Sequence, residues 1–121
     1  MKKTPEPEPL DPAVLKAAQA AAGKKATDVV VLDLRRATAF MDYFVIVSGT
    51  NQRQLVAIAD AVQETLRAEH LRPESVEGYP RQEWILLDYG SFVVHIFTPR
   101  TRTFYDLERL WGGATRVPVA V

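Results

Sequence analysis

Residues 42–54 read DYFVIVSGTNQRQ, in which an apolar run passes through Ser-Gly-Thr into a polar segment. The run at 43–48 is long enough for a buried β-strand and predicts one. Beyond it, apolar residues recur at helical spacing at Leu55, Ile58, Ala59, Val62 and Leu66. Asn51 and Gln54 occupy the two positions of a capping box. The stretch therefore predicts a strand that turns directly into an amphipathic helix, which ends near His70.

Two further elements are expected before this stretch. Asp11 followed by Pro12 is a typical helix start, and an alanine-rich segment then runs to Gly23, which should end the helix. Residues 28–34, DVVVLDL, form a β-branched run and predict a strand. The first ten residues include three prolines and few apolar groups, so we expect a flexible N-terminal tail at 1–10.

Residues 84–97, WILLDYGSFVVHIF, predict two strands joined by a tight turn. If Tyr89 and Gly90 form the turn, with φ positive at Gly90, opposed residue numbers sum to 179. One face of the hairpin then holds only apolar residues, which are Ile85, Leu87, Phe92, Val94 and Ile96. The reverse face is mixed and holds Trp84, Leu86, Asp88, Ser91, Val93 and His95. We expect the apolar face to pack on the helices and the mixed face to suit a partner.

The chain ends with one more predicted helix. Residues 101–111, TRTFYDLERLW, place Phe104, Leu107 and Trp111 on one stripe, which is expected to face the core. A Gly-Gly pair then ends the helix, and residues 113–121 are expected to form a flexible C-terminal tail.

The order α-β-β-α-β-β-α predicts one domain over residues 11–112. We expect an α/β (α+β) fold with a single mixed sheet of about four to five strands and helices mainly on one face. The segment 72–82, RPESVEGYPRQ, is turn-rich and is expected to be a connection. Because the chain shows no apolar run of about 20 residues and no signal peptide, we expect a cytoplasmic location.

Composition excludes several classes of function. Fifteen Lys+Arg balance fifteen Asp+Glu, so no bulk positive field would hold the protein on nucleic acid. Cysteine is absent, which excludes disulfides, thiolate metal sites and thiol catalysis. The two histidines, His70 and His95, form no metal-binding motif. We therefore expect no metal, no cofactor and no catalytic residue.

The corner at residues 48–50, SGT, raises the possibility of a phosphate site, because a helix N-terminus presents free N–H groups. The corner lacks the further glycines of a dinucleotide motif and the lysine of a P-loop. A nucleotidyl transferase would need carboxylates two residues apart on one strand. Asp28 and Asp33 are five residues apart, so they face opposite sides of their strand. A metal-dependent nucleotidyl transferase or nucleotide-binding protein is kept as the alternative function.

Three ordered blocks closely resemble the ribosomal silencing factors, also called the RsfS or Iojap-related family. They are MDYFVIVSGTNQRQLVAIAD at 41–60, VEG followed by WILLDYGSFVVHIF at 76–97, and TFYDLERLW at 103–111. The resemblance covers about residues 11–111. It departs at TPRTR and at GYPRQEW, where relatives commonly carry acidic or small residues, so local charge at the partner surface differs.

The resemblance implies a non-enzymatic factor with a nucleotidyltransferase-like fold that lacks the metal carboxylates. Such a factor binds the large ribosomal subunit through large-subunit ribosomal protein fourteen and blocks joining of the small subunit. It lowers translation when nutrients are scarce and assists late large-subunit maturation. A peripheral contact with ribosomal RNA and a homodimer of the free protein are further possibilities, as is an adaptor with the same fold and another protein partner.

The hypothesis for the partner-binding site combines the mixed hairpin face with the last helix. The site residues are Trp84, Leu86, Asp88, His95, Tyr105 and Arg109. Flat aromatics ringed by polar groups are the usual energetic anchors of protein interfaces. Two alternatives stay open: Trp84 could pack beneath the loop at 76–80, and His95 could be a hydrogen-bonded structural residue.

Overall fold

A single mixed β-sheet organises residues 9–121, the part of the chain that the computed structural model describes. The elements are α1 Pro12–Gly23, β1 Thr27–Asp33, β2 Tyr43–Ser48, α2 Gln52–Arg67, β3 Ser75–Glu77, β4 Trp84–Asp88, β5 Phe92–Phe97, α3 Pro99–Tyr105, α4 Leu107–Leu110 and β6 Thr115–Val117. The strands lie in the order β3-β4-β5-β2-β1-β6. The β2–β5 pair is parallel and the other neighbouring pairs are antiparallel.

The predicted fold class is confirmed, although the sheet has six strands instead of four to five. The additional strands, β3 and β6, are three residues long, and so short a segment shows no alternation that a sequence pattern could reveal. β3 lies in the segment expected to be a connection. β6 lies within the expected tail at 113–121, where Val117 pairs with Val31 of β1 and packs on the main core. The structure therefore replaces that part of the tail with an edge strand.

The expected N-terminal tail is described only in part. Residues 1–8 lie outside the described residues, and Leu10 is partly buried against the main core. The domain bounds 11–112 stay a prediction.

Both predicted helix starts are confirmed. The Asp11 carboxylate accepts the N–H of Ala13 at 2.9 Å, and Pro12 occupies the first position of α1. Asn51 caps α2 by accepting the N–H of Gln54 at 2.8 Å. All five apolar residues of the predicted α2 stripe are buried. With α1 they cover one face of the sheet and form the main core.

The β4–β5 hairpin has the predicted faces but another register. Opposed residue numbers sum to 181, with Leu87 opposite Val94, so the predicted sum of 179 is wrong. The turn consists of Gly90 and Ser91, and φ of +88° at Gly90 suits the first central position of a type II′ turn. The Asp88 carboxylate accepts the N–H of Gly90 at 2.8 Å, which favours this turn. A shift of two residues preserves the alternation, so the apolar face still packs on the helices.

The predicted last helix is broken in two. Asp106 adopts the left-handed conformation, with φ of 48° and ψ of 54°, and separates α3 from α4. Leu107 and Trp111 pack against the sheet as predicted. Phe104 does not, because the break gives α3 a different orientation, and 79% of its side chain is exposed. The stripe prediction is therefore wrong for Phe104.

Candidate partner-binding site

The sheet face opposite α1 and α2 carries a second, smaller hydrophobic cluster. Its buried members are Leu32, Leu34, Ile46 and Phe97. Partly buried aromatic residues surround them, namely Phe44, Trp84 and Trp111. The helices on this side, α3 and α4, contain no buried residue. This face is therefore covered much less completely than the face beneath α1 and α2.

Trp84 connects this cluster to the surface. Its ring stacks on Phe97, with 5.0 Å between ring centroids, and lies 4.5 Å from the ring of Tyr105. Its indole N–H donates to Nδ1 of His95 at 3.1 Å. These ring contacts place the Trp84 side chain on the mixed face of the hairpin instead of beneath the loop at 76–80. Since Tyr105 is 47% exposed, the aromatic contacts extend from the buried Phe97 to solvent.

His95 lies beneath this surface, with only 4% of its area exposed. Desolvation lowers the pKa of His95 to about 3, which keeps the imidazole neutral. Because Nδ1 accepts the Trp84 N–H, the ring proton is on Nε2. Nε2 has no hydrogen-bond partner within residues 9–121, and the centroids of the His95 and Phe44 rings lie 4.5 Å apart with an angle of 75° between the ring planes. His95 is thus a hydrogen-bonded structural residue that orients Trp84.

Gly78, the last residue of the VEG motif, lies where the chain packs closely against β4. A Cβ at this position would lie 1.9 Å from the main-chain oxygen of Trp84, and φ is +98°, so only glycine fits. The next residue, Tyr79, donates its hydroxyl proton to Asp60 at 2.8 Å and accepts from Gln63 at 2.6 Å. Burial is the first cause of the raised pKa of Tyr79, and the bond to Asp60 adds to it. The loop before β4 is thereby anchored to α2, which fixes where Trp84 begins its strand.

The structure brings together most of the predicted site residues. Leu86 is the direct cross-strand partner of His95, and both flank Trp84 on the mixed face. Asp88 lies on the same face at the turn end of β4, where its carboxylate caps Gly90. Arg109 is exposed on α4 and contacts none of the other five through a hydrogen bond, ion pair or ring within the described part of the chain. The centre of the candidate site is therefore Trp84, Leu86 and Tyr105, with His95 beneath them.

Arg102 holds α3 and α4 against the sheet. Its guanidinium donates to the main-chain oxygen of Asp28 at 2.7 Å and to Oγ of Ser48 at 2.9 Å. It also makes two hydrogen bonds to the Glu108 carboxylate, at 3.0 and 3.2 Å. Such a fork of parallel bonds is geometrically specific. Arg102 therefore ties β1, β2 and α4 together.

The backbone N–H groups of the SGT corner donate hydrogen bonds within the protein. The N–H of Gly49 donates to the main-chain oxygen of Phe97 at 2.9 Å, and the N–H of Thr50 donates to Oε1 of Gln54 at 2.6 Å. A Cβ at Gly49 would lie 2.8 Å from a methyl carbon of Leu55, so close packing explains this glycine. Since Ser48 is bonded to Arg102, the corner is organised as a strand-to-helix turn.

Three large apolar residues outside the predicted site are strongly exposed. Phe40, Phe104 and Leu110 are 91%, 79% and 73% exposed. Phe104 and Leu110 lie on α3 and α4, beside the candidate site. A helical period cannot locate them, because the left-handed residue between the two helices interrupts it.

Among residues 9–121, none of the helices has the length and apolar character needed to cross a bilayer. The same residues contain no group of three or more His, Asp or Glu side chains arranged to hold a metal ion.

Comparison with known proteins identifies the family. The model of the family RsfS, "Ribosomal silencing factor during starvation", matches residues 7–120. The ribosomal silencing factor RsfS of Zymomonas mobilis is 36% identical over 88 residues, which are 73% of this chain and 66% of that protein. The RsfS of Bacillus subtilis is 36% identical over 102 residues, which are 84% of this chain and 86% of that protein.

Solved structures agree with this result. A crystal structure of a Chromobacterium violaceum protein superposes with a TM-score of 0.80 at 32% identity, covering 90% of both chains. Family match, sequence identity and fold therefore lead to one conclusion, and the chain belongs to the ribosomal silencing factor (RsfS) family.

Proposed function

We propose that this chain binds the large ribosomal subunit through large-subunit ribosomal protein fourteen and sterically blocks the small subunit. Family membership supports a ribosomal silencing role. The observation that carries the proposed contact is the thinly covered sheet face around Trp84, where aromatic rings extend from the buried cluster to solvent. The opposite face is covered by α1 and α2, whose apolar residues form the main core there.

Each predicted site residue has a part in the proposed contact. Trp84, Leu86 and Tyr105 form the central apolar area, since their rings and side chains adjoin on one face. Asp88 and Arg109 lie farther out and would add charge at the margin, where pairing mainly affects the association rate. His95 would act through Trp84, because its own surface is buried.

The proposed action needs no catalytic group, metal or cofactor, because occupation of the subunit-joining surface is sufficient to repress translation. We expect the repression to operate under nutrient limitation, and the same large-subunit contact to assist late maturation. The cytoplasmic location stays a prediction that follows from this role.

Co-sedimentation with separated ribosomal subunits tests the proposal. The full chain should pellet with large subunits and not with small subunits, and it should reduce joining when small subunits are added. Recovery with neither subunit at near-physiological salt would refute the proposed function. Binding to an isolated protein partner without binding to large subunits would instead favour the adaptor hypothesis.

Trp84→Ala tests the contact surface. Truncating a central interface aromatic costs about 2 kcal/mol, or about thirtyfold in affinity for large subunits. Because Trp84 also stacks on Phe97, circular dichroism and thermal unfolding must show that the variant is folded at the assay temperature. Arg72→Ala is the control, since Arg72 is exposed and lies beside Gln63 and Arg67 of α2, the helix that covers the opposite face of the sheet. Equal affinity of Trp84→Ala and the wild-type chain would place the contact elsewhere.

The nucleotide alternative has weaker support. The N–H groups of Gly49 and Thr50 already donate within the protein, so a phosphate would have to displace these bonds. A rise in melting temperature with millimolar nucleotide and Mg²⁺ would support that alternative and count against a purely steric role.

The open face around Trp84 also offers a surface for a second copy when no ribosome is bound. We propose that the free chain pairs through it. Light scattering should then give twice the monomer mass, and Trp84→Ala should give the monomer mass. A monomer at all concentrations would refute the pairing and leave the ribosome proposal intact.

A further inference from the structure

Five exposed cations lie at one end of the sheet, where β2 and β5 end and β1 and β4 begin. Ser48, the last residue of β2, pairs with Phe97, the last of β5, and with Thr27, the first of β1. Trp84, the first residue of β4, also pairs with Phe97. The segments that adjoin these four strand ends carry the cations, which are Lys24, Lys25, Arg53, Arg81 and Arg100. We call this surface the basic end.

Hydrogen bonds from the start of α2 hold these segments side by side. The Gln54 side chain donates to the main-chain oxygens of both lysines, at 3.1 and 3.0 Å. The Gln52 side chain donates to the main-chain oxygen of Arg81 at 3.3 Å, and Gln52 and Arg100 line one depression. Arg53 lies between the two glutamines, in the first turn of α2. The topology therefore brings cations from four separate segments to one surface.

The charge of the basic end is not compensated locally. All five cations are exposed, and none forms an ion pair within residues 9–121. Two acidic residues, Asp28 and Glu83, lie in the same segments. Setting these seven residues aside from the fifteen cations and fifteen anions leaves ten cations against thirteen anions for the rest of the chain. Although the net charge is zero, a positive field at this end would attract an anionic partner.

The position of Arg53 indicates that this charge does not serve the stability of the fold. A cation in the first turn of a helix is repelled by the positive end of the helix dipole, and α2 has no acidic residue in that turn. The Arg53 side chain is exposed and makes no hydrogen bond or ion pair within the described part of the chain. Its charge therefore suits contact with a partner.

The basic end lacks the apolar anchors of a protein interface. No exposed large hydrophobic side chain lies in residues 23–28, 49–54 or 78–83. Protein interfaces are held mainly by aromatic and other large side chains, and lysine is depleted from their centres. Phosphate backbones are bound by exposed lysine and arginine without such anchors. A surface that offers charge alone fits a nucleic-acid backbone better than it fits an acidic protein.

We propose that the basic end binds the phosphate backbone of RNA. The inference rests on the proposed function, because on the large subunit this backbone would be ribosomal RNA. Arg81 lies three residues before Trp84, so the basic end adjoins the candidate partner-binding site and both can be engaged together. Contacts to about three phosphates would give a logarithmic salt slope of about −2.7.

The test is fluorescence anisotropy of two labelled RNA hairpins of unrelated sequence with the full chain, over a range of salt concentrations. Both hairpins should bind equally, because the backbone carries no sequence information. The double variant Arg53→Gln/Arg81→Gln should weaken binding about tenfold and make the slope shallower by about 1.8. Its melting temperature should be unchanged or higher, since Arg53 opposes the helix dipole.

The matched control is Arg36→Gln/Arg72→Gln, which removes the same charge from two exposed positions at the opposite end of the sheet, after β1 and before β3. It should change RNA affinity less than twofold. Equal losses in the two double variants, preference for one hairpin, or no binding at low salt would overturn the inference. Displacement of the RNA by poly-glutamate at equal charge concentration would assign the surface to an acidic protein instead.

Binding to large subunits distinguishes this inference from the proposed function. Arg53→Gln/Arg81→Gln should lose affinity for large subunits but bind isolated large-subunit ribosomal protein fourteen as the wild-type chain does. Unchanged affinity for large subunits would refute ribosomal RNA as the ligand and leave the proposed function intact. If the wild-type chain binds the hairpins through the basic end but does not bind large subunits, the proposed function fails and the RNA surface stands.

Discussion

Trp84 donates its indole N–H to Nδ1 of His95 at 3.1 Å, across the hairpin. The two residues are diagonal neighbours, since Trp84 lies opposite Phe97 and His95 lies opposite Leu86. This bond fixes both the imidazole tautomer and the direction of the indole ring. A buried histidine thereby sets the orientation of the aromatic residue at the centre of the proposed ribosome contact.

Trp84→Phe should separate this hydrogen bond from ring packing. The substitution keeps an aromatic ring against Phe97 but leaves Nδ1 of His95 without its donor in a buried position. We expect a loss of about 1–2 kcal/mol in unfolding free energy. Urea denaturation measures this loss, and Phe40→Leu at an exposed position is the control. Unchanged stability would show that the bond contributes nothing to the fold.

The pH dependence of stability should report on His95. Burial lowers the pKa of His95 to about 3 in the folded chain, whereas an unfolded histidine takes up a proton near pH 6.5. The unfolded state therefore binds more protons between these values. The contribution of neutral His95 to the free energy of unfolding is complete above about pH 6.5. It decreases as the pH falls below that value, by at most about 1.4 kcal/mol per pH unit.

Urea unfolding between pH 5 and 7 isolates this effect, because the pKa of Asp33 is lowered by its hydrogen bond to Arg35 and its contribution is lost only at lower pH. His95→Gln retains an acceptor for Trp84 and should flatten the slope. His70→Asn serves as the control for a histidine outside this face. A slope that survives in His95→Gln would contradict the prediction.

Replacing glycine by alanine should destabilise the fold strongly at Gly78 and hardly at all at Gly23. Gly78→Ala brings a Cβ to 1.9 Å from the Trp84 oxygen and strains a positive φ, so we expect a loss of more than about 3 kcal/mol or failure to fold. Gly23→Ala meets nothing within 4 Å and should change stability by less than about 1 kcal/mol. Thermal unfolding of the two variants checks both values. Similar melting temperatures would mean that the loop before β4 relaxes freely.

Arg102→Ala should loosen α3 and α4. It removes the donor to Asp28, Ser48 and Glu108 and leaves a partly buried carboxylate without its fork, which should cost about 2 kcal/mol. Amide hydrogen exchange should accelerate in residues 99–111 more than in α2. Arg109→Ala, at an exposed position on α4, is the matched control. Uniform acceleration over the whole chain would indicate a global effect and not a local one.

Truncation after Gly113 tests the sixth strand. It removes Val117 from the main core and exposes the hydrogen-bonding edge of β1, so the melting temperature should fall by several degrees. Truncation after Ala120 retains β6 and the packing of Val119 on the main core, and it is the control. Equal melting temperatures for the two chains would support the predicted domain end at residue 112.

The sequence by itself determined the elements whose stabilising contacts are local or periodic. The caps at Asp11 and Asn51 and the α2 stripe could be predicted because each depends on residues within one or two helical turns. The faces of the hairpin were also predictable, since alternation survives a register shift of two residues. Family resemblance indicated a ribosomal silencing role, which neither composition nor periodicity indicated.

The tertiary structure decided what depends on distant partners. β3 and β6 exist only because longer strands offer them an edge. The left-handed Asp106 turned Phe104 outward, which no helical period can show. Burial of His95 and the bonding of Arg102 to Ser48 also depend on chain segments far apart in sequence. Hydrogen bonds and packing between remote segments carry no local sequence signal, so the geometry of the candidate site emerged only in three dimensions.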